Sequence, residues 1–315
     1  MHRPKHLDQH IATHGSGPRS AIVIAISGRC AVQQSPIIMQ HRGRKAVCTS
    51  YTLRMPLLTS PTVILFDWHG TLADTYDAMY HALDDAFHRM AAIGLFDRLM
   101  DPAKSKTTED AKLVHYVRQH QQLHPKIKAA KKVSRTDIFE VLFGPDEETK
   151  HIAHELYSEC YRDHYGEVYP FETDGRACLL ELKGLGIRLG IVTNRNRDFL
   201  EHELRLIEQG QWMGLFDVVA CGDDIPRRKP APDILLSAVE QLGVKPDPGI
   251  WYVGDSTTDT TSAKVNGITS VFYNGAHWDQ AWLDKIFPGT PEHPHKPDAV
   301  VERLRDLVDL ARSRL

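Results

Sequence analysis

"VILFDWHGTL", residues 63–72, decides how the chain is read. Its first four residues are large and apolar, the run ends at Asp67, and a Gly-Thr pair follows at Gly70 and Thr71. A short run that is apolar at every position marks a strand covered on both faces, as strands of parallel sheets are. In such sheets ligands bind beyond the carboxyl ends of the strands, so Asp67 stands where a site opens. Trp68 and His69 separate it from the Gly-Thr pair, and the imidazole is the residue whose chemistry needs explaining.

Downstream, short β-rich runs alternate with helical stretches, which predicts the α/β class: a Rossmann-like open parallel sheet covered by helices. Five strands are expected, at 62–67, 187–193, 217–222, 249–254 and 268–273, with helices near 173–184, 196–209, 231–242 and 257–266. "KPAPDILLSAVEQLG" (229–243) carries helix signals at both ends, with Pro232 and Asp233 in its opening turn and Gly243 as terminator. "PDAVVERLRDLVDLARSRL" (297–315) is expected to close the chain as one helix, with Val300, Leu304, Leu307, Val308 and Leu310 on its apolar face. Roughly 120 residues separate the first strand from the second, far more than the dozen or so that one crossover requires. Their period is helical in "DTYDAMYHALDDAFHRM" (74–90), "TEDAKLVHYVRQHQQ" (108–122), "SRTDIFEVLF" (134–143) and "EETKHIAHELYSECYRDHYG" (147–166). The basic stretch "HPKIKAAKKV" (124–133) reads as a solvated connection, with a substrate-contacting loop as the alternative. The expected organisation is an N-terminal extension (1–58), a core domain (59–73 with 171–315) and an inserted helical domain (74–170).

Composition narrows the function classes. A chain of 315 residues with 42% hydrophobic content can bury a core large enough for an enzyme. A formal charge of −3 gives no electrostatic reason to expect nucleic acid or an anionic membrane as the main partner. The charge is unevenly spread: residues 1–60 hold eight Lys or Arg against Asp8 alone, leaving the other 255 residues with thirty basic and forty acidic side chains. Five scattered cysteines without a C-x-x-C pair fit a reduced cytosol, and a cytoplasmic location is expected. The apolar stretch "AIVIAI" (21–26) is far below the roughly 20 residues a membrane span needs. A secretion signal or an organelle address would also suit the Arg-rich start; an extension ahead of a true first residue at Met55 is the plainer expectation.

The polar residues gather at strand ends: Asp67 after the first, Thr193 and Asn194 after the second, Asp255 and Asp259 in "VGDSTTD" after the fourth, and Lys229 in "RRKPAPD" after the third. In this order they resemble the haloacid dehalogenase superfamily, most of whose members are phosphatases, over about 255 residues. Its D-x-D-G-T motif is matched by Asp67, Trp68, His69, Gly70 and Thr71, with His in place of the second Asp. Thr193, then Lys229 with Pro230, then Gly254, Asp255 and Asp259 match the later motifs, and the helical insert is similar to the cap of the phosphoglycolate-phosphatase-like branch. The resemblance implies Asp67 as the nucleophile forming an aspartyl-phosphate, which splits one hard hydrolysis into two transfers. It implies Mg²⁺ held by Asp67, Asp255, the His69 main-chain carbonyl, and Asp259 directly or through water. Lys229 and Thr193 would meet the phosphoryl oxygens, with Gly70 and Asn194 nearby in the binding set. His69 would take over the acid and base work of the missing Asp, for which an imidazole is chemically suited. The expected partner is a small phosphorylated metabolite.

Other readings stay open. Family members that cleave carbon–phosphorus or carbon–halogen bonds also lack the second Asp; dehalogenases use no metal, and a phosphonate hydrolase needs a cap lysine, for which Lys104, Lys106 and Lys112 are available. A regulatory protein that keeps the phosphate and metal cradle with little turnover is the third reading. Structural roles compete residue by residue: Asp255 and Asp259 as helix caps, Thr193 as a strand residue, Lys229, Arg227 and Arg228 as surface charges, Asn194 and Arg195 as loop shapers, Asp223 and Asp224 as turn acids. His81, His88, His115 and His120 are expected on surfaces or in packed positions more than in the site. "HPHKP" (293–297) reads as a loop, and Trp278 and Trp282 as part of a short helix at the sheet edge.

Overall fold

The computed structural model describes residues 58–315, so the expectations placed on residues 1–57, Met55 among them, lie outside it. In chain order the strands are β1 (Val63–Phe66), β2 (Ala73–Asp74), β3 (Tyr169–Pro170), β4 (Arg188–Val192), β5 (Val218–Ala220), β6 (Ile250–Gly254), β7 (Thr269–Tyr273) and β8 (Ala299–Val301). The helices are α1 (Tyr76–Ala92), α2 (Thr108–His120), α3 (Pro125–Ala130), α4 (Arg135–Phe143), α5 (Glu147–Tyr161), α6 (Gly175–Gly184), α7 (Arg197–Leu206), α8 (Asp233–Gln241), α9 (Thr257–Val265), α10 (Gln280–Ile286) and α11 (Leu304–Arg312).

Six strands form one parallel sheet in the order β5-β4-β1-β6-β7-β8, with β1 between β4 and β6. Alternation along β1 sends Ile64 and Phe66 into one core with α6, α7 and α11, and Val63 and Leu65 into another with α8 and α9. Both faces are therefore covered, which is why the run around residue 64 is apolar without a break.

The closing segment corrects the sequence reading. Residues 299–301 are a sixth strand paired in parallel with β7, and the helix begins only at Leu304. Val300 belongs to this strand rather than to a helix face. The β-branched Val300 and Val301 satisfy the hydrogen-bonding edge of β7, an outlet that the helical period of 304–312 hides in the sequence. The two-stranded ribbon of β2 and β3 also went unforeseen.

Residues between β2 and β3 carry α1–α5 around their own core, including Leu83, Phe87, Met90, Val117, Phe139 and Leu142. The basic stretch 124–133 is an anchored connection and not a free one. It contains α3, Lys128 pairs with Asp84, Lys131 pairs with Asp74 and Asp77 (3.1 and 2.7 Å), and the Lys132 ammonium lies 4.4 Å from the Trp278 ring centroid. Trp278 and Trp282 stack at α10, as the sequence suggested. No described helix is long and apolar enough to cross a membrane.

Candidate active site

Strand order reverses at β1: β4 and β5 lie on one side, β6, β7 and β8 on the other. The loops leaving β1, β4 and β6 consequently open around one crevice, the switch point where open α/β sheets bind ligands.

Asp67 leaves β1 with its N–H donating to Val253 O of β6 (2.9 Å). Lys229, almost fully buried, donates from Nζ to Asp67 Oδ1 (2.9 Å), Asp259 Oδ1 (2.7 Å) and the Tyr252 hydroxyl (2.6 Å). Burial works against its charge, yet Asp259 and Asp67 outweigh that penalty and raise its pKa. This is a buried, paired lysine and not a surface charge. Asn194 explains its placement: the side-chain amide donates to Lys229 O (2.9 Å) and accepts from Lys229 N–H (2.8 Å), tying the loop to the end of β4. Thr193 is buried, and its Oγ accepts from Arg195 N–H (3.3 Å), which leaves its O–H to donate elsewhere.

Asp259 caps and pairs at once. Its Oδ2 accepts from Ser256 N–H (3.1 Å) and Ser256 Oγ–H (2.6 Å) in a capping box that opens α9, while Oδ1 takes Lys229 and the Tyr252 hydroxyl (3.1 Å). Both oxygens are thus engaged. Asp255 is held far more lightly, by Thr71 Oγ–H at 3.4 Å. Burial, then the charges of Asp67 and Asp259, push its carboxyl well above the usual range. Gly70 has φ +78°, and a Cβ there would lie 2.3 Å from Asp255 Oδ2. Its N–H donates to Ala73 O (2.9 Å), and the missing Cβ makes room for Asp255.

Oxygens of Asp67, Asp255 and Asp259 lie within 4.8 Å of one another. Among the described residues three carboxylates, Asp259 buried and Asp67 and Asp255 partly so, face a single ammonium, so the group carries surplus negative charge that a hard divalent cation would neutralise. The donor set fits Mg²⁺, with Asp67 and Asp255 the freer ligands and Asp259 better placed to act through water.

His69 sits in a network assembled from separate elements, which no local sequence pattern announces. Arg195 Nη2 donates to Thr75 Oγ (2.8 Å), and the same oxygen lies 2.6 Å from His69 Nδ1. The other ring nitrogen, Nε2, is a buried atom without a partner among the described residues. Burial first, then Arg195 and Arg135, lower its pKa to about 3. Arg195 is itself bound to Glu203 (3.0 Å), a fully buried acid that also accepts from Trp68 Nε1 (2.7 Å) and the Tyr161 hydroxyl (2.6 Å). Arg195 thus does more than shape its loop. Arg135 lies over the Tyr157 ring and forms no ion pair with a carboxylate among the described residues; burial first, then Arg195 and Arg228, lower its pKa.

The remaining residues fall outside the crevice. His88, His115 and His120 are exposed, and His81 lies in a surface cluster. Lys104, Lys106 and Lys112 are exposed, the last two beside Glu140 and Glu109. Arg227 pairs with Asp233, while Asp223 and Asp224 hold Arg197 at the start of α7.

Similarity to known proteins agrees with this geometry. Phosphoglycolate phosphatase 1 of Pseudomonas aeruginosa is 30% identical over 172 residues, 53% of this chain and 57% of that protein. Phosphoglycolate phosphatase of Escherichia coli K12 is 34% identical over 134 residues, 40% of this chain and 49% of that one. The chain therefore spans about half the length of the curated relatives it matches. A crystal structure of a putative phosphoglycolate phosphatase from Lactobacillus plantarum shares the fold, with TM-score 0.55 and 20% identity over 80% of this chain and 100% of that one. The model of haloacid dehalogenase-like hydrolases matches residues 64–273 without a break across both the sheet and the helical insert, and the chain belongs to that family.

Proposed function

We propose that the protein is a Mg²⁺-dependent phosphatase of small phosphate monoesters, working through an aspartyl-phosphate on Asp67. The observation that carries this reading is the imbalance at the switch point: Asp67, Asp255 and Asp259 converge and, among the described residues, only Lys229 pairs with them. Mg²⁺ would let the Asp67 carboxylate approach a phosphoryl dianion and would offset charge on the transferring oxygens. Lys229 orients Asp67 through its Nζ, and the Thr193 hydroxyl donates to a phosphoryl oxygen. The names of the relatives favour the same class of reaction.

His69 takes the acid and base role. A bound phosphoryl dianion opposes the field of Arg195 and Arg135, which favours imidazolium. Its Nε2 proton then passes to the leaving oxygen, and the neutral ring afterwards accepts a proton from the water that attacks the aspartyl-phosphate. The exposure of Lys104, Lys106 and Lys112 weighs against a Schiff-base phosphonate hydrolase, and the carboxylate triad against a metal-free dehalogenase. Residues 74–170 would act as a cap that excludes water and chooses the substrate. Arg135, whose charge reaches His69 and which has no carboxylate partner among the described residues, would meet a second anionic group on it.

The test is hydrolysis of a phosphate-ester panel with Mg²⁺ and with EDTA, alongside Asp67→Asn under conditions that exclude deamidation. Turnover that needs both the metal and the carboxylate is expected. Full activity without either would remove the reading.

A further inference from the structure

A second cluster of ligating side chains lies away from the crevice, where the inserted helices meet the core. His81 and Asp85 stand one turn apart on α1; His164 and Glu167 follow α5, just before β3. A ring nitrogen of each histidine and a carboxylate oxygen of Glu167 lie within 4.8 Å of one another. Two details distinguish this from a chance meeting of surface charges. His164 Nε2 lies 2.7 Å from Asp85 Oδ2, so that carboxylate takes the Nε2 proton and fixes the tautomer whose lone pair is on Nδ1. That lone pair faces Glu167 Oε1 at 3.6 Å, an acceptor opposite an acceptor, while Glu167 Oε2 lies 2.9 Å from His81 Nδ1. Among the described residues neither Asp85 nor Glu167 pairs with a lysine or arginine. The cluster holds two acids, two imidazoles and no permanent cation.

We propose that His81, His164 and Glu167 bind a divalent transition-metal ion of the Zn²⁺ type, with Asp85 orienting His164 from behind. Imidazole nitrogens with one carboxylate suit such an ion better than Mg²⁺ or Ca²⁺, which take oxygen ligands. Metal–ligand bonds of about 2.1 Å set tetrahedral ligands about 3.4 Å apart, a contraction that the exposed His81 and half-exposed Glu167 side chains can make by rotation. The ion would tie the first helix of the insert to the segment that returns to the core, and so stiffen the base of the insert.

Zn²⁺ titration by calorimetry and by thermal unfolding, on the full chain, tests the site. Residues 1–57 contain His2, His6, His10, His14 and His41, and the acidic crevice also attracts cations; the readout is therefore the difference between variants. His81→Ala with His164→Ala is expected to lose one equivalent of Zn²⁺ and the associated rise in Tm, while Asp255→Asn keeps both. Asp85→Asn, which removes only the orienting acceptor, should weaken that equivalent by about 10- to 100-fold. A stoichiometry and Tm shift unchanged in the double-histidine variant, or a loss confined to Asp255→Asn, would overturn the proposal in favour of a proton-bridged ion pair.

Discussion

At His69 Nδ1 is engaged by the Thr75 hydroxyl, and Nε2 is the nitrogen left without a partner for proton transfer. Its use depends on how much help the leaving group needs. An alkoxide leaves poorly without a proton, whereas p-nitrophenolate leaves readily. His69→Ala is therefore expected to lower turnover of an alkyl phosphate by about 10²- to 10⁴-fold and to affect p-nitrophenyl phosphate much less. Steady-state rates on the two esters check this. Equal losses on both would show that His69 holds the site together and moves no proton. The substitution itself was plain from the order Asp67, Trp68, His69, Gly70. Its environment was not, because Thr75, Arg195 and Glu203 are brought to it from separate elements, and no local pattern announces a buried Arg–Glu pair.

Among elements, the strand ends were the most legible features, since each apolar run stops at a polar residue and the parallel sheet then forces those residues together. Asp67, Thr193 and Asp255 could be placed in this way. Tyr252 could not: it lies inside "GIWYVG" and reads as a strand residue, although its hydroxyl bridges Lys229, Val192 O and Asp259. The loop after β5 is also invisible to periodicity, and Asn194 supplies what a strand partner would, one acceptor and one donor to the Lys229 backbone. Asn194→Ala strands both groups and should cost about 1–3 kcal/mol. Because Lys229 then loses its fixed approach to Asp67, kcat should fall further than the stability loss alone predicts. Denaturant unfolding beside kinetics separates the two effects. Asn194→Asp, which keeps the acceptor for Lys229 N–H, should recover part of the stability.

Over the whole molecule, buried ionisable groups make stability depend on pH and on metal in opposite ways. His154 of α5 packs edge-on against Phe139 with its Nδ1 unpartnered, and burial first, then Arg135 and Arg228, lower its pKa to about 3. The folded state thus disfavours a proton that the unfolded chain accepts at about 6.5. Its contribution is present above that value and is lost as pH falls from about 6.5 towards 3. His154→Leu should flatten this acid limb without abolishing it, because His69 titrates in the same sense; urea midpoints between pH 7 and 4 measure it.

Asp255 behaves the other way. Its carboxyl is raised by burial and by Asp67 and Asp259, so without metal the fold gains stability as pH falls through the folded pKa towards the unfolded value. A bound divalent cation reverses that preference, because it binds the carboxylate and expels the proton, so Mg²⁺ affinity should rise with pH. Asp255→Asn removes the repulsion and the ligand together. The metal-free variant should unfold at a higher temperature than the metal-free wild type. Saturating Mg²⁺, worth about 2.7 kcal/mol at a hundredfold excess over Kd, should then stabilise the wild type and leave the variant unmoved. Thermal scans of both proteins with Mg²⁺ and with EDTA give the four values needed. If Asp255→Asn destabilised the metal-free protein, the three carboxylates would not be in mutual repulsion, and the electrostatic case for a cation between them would fail.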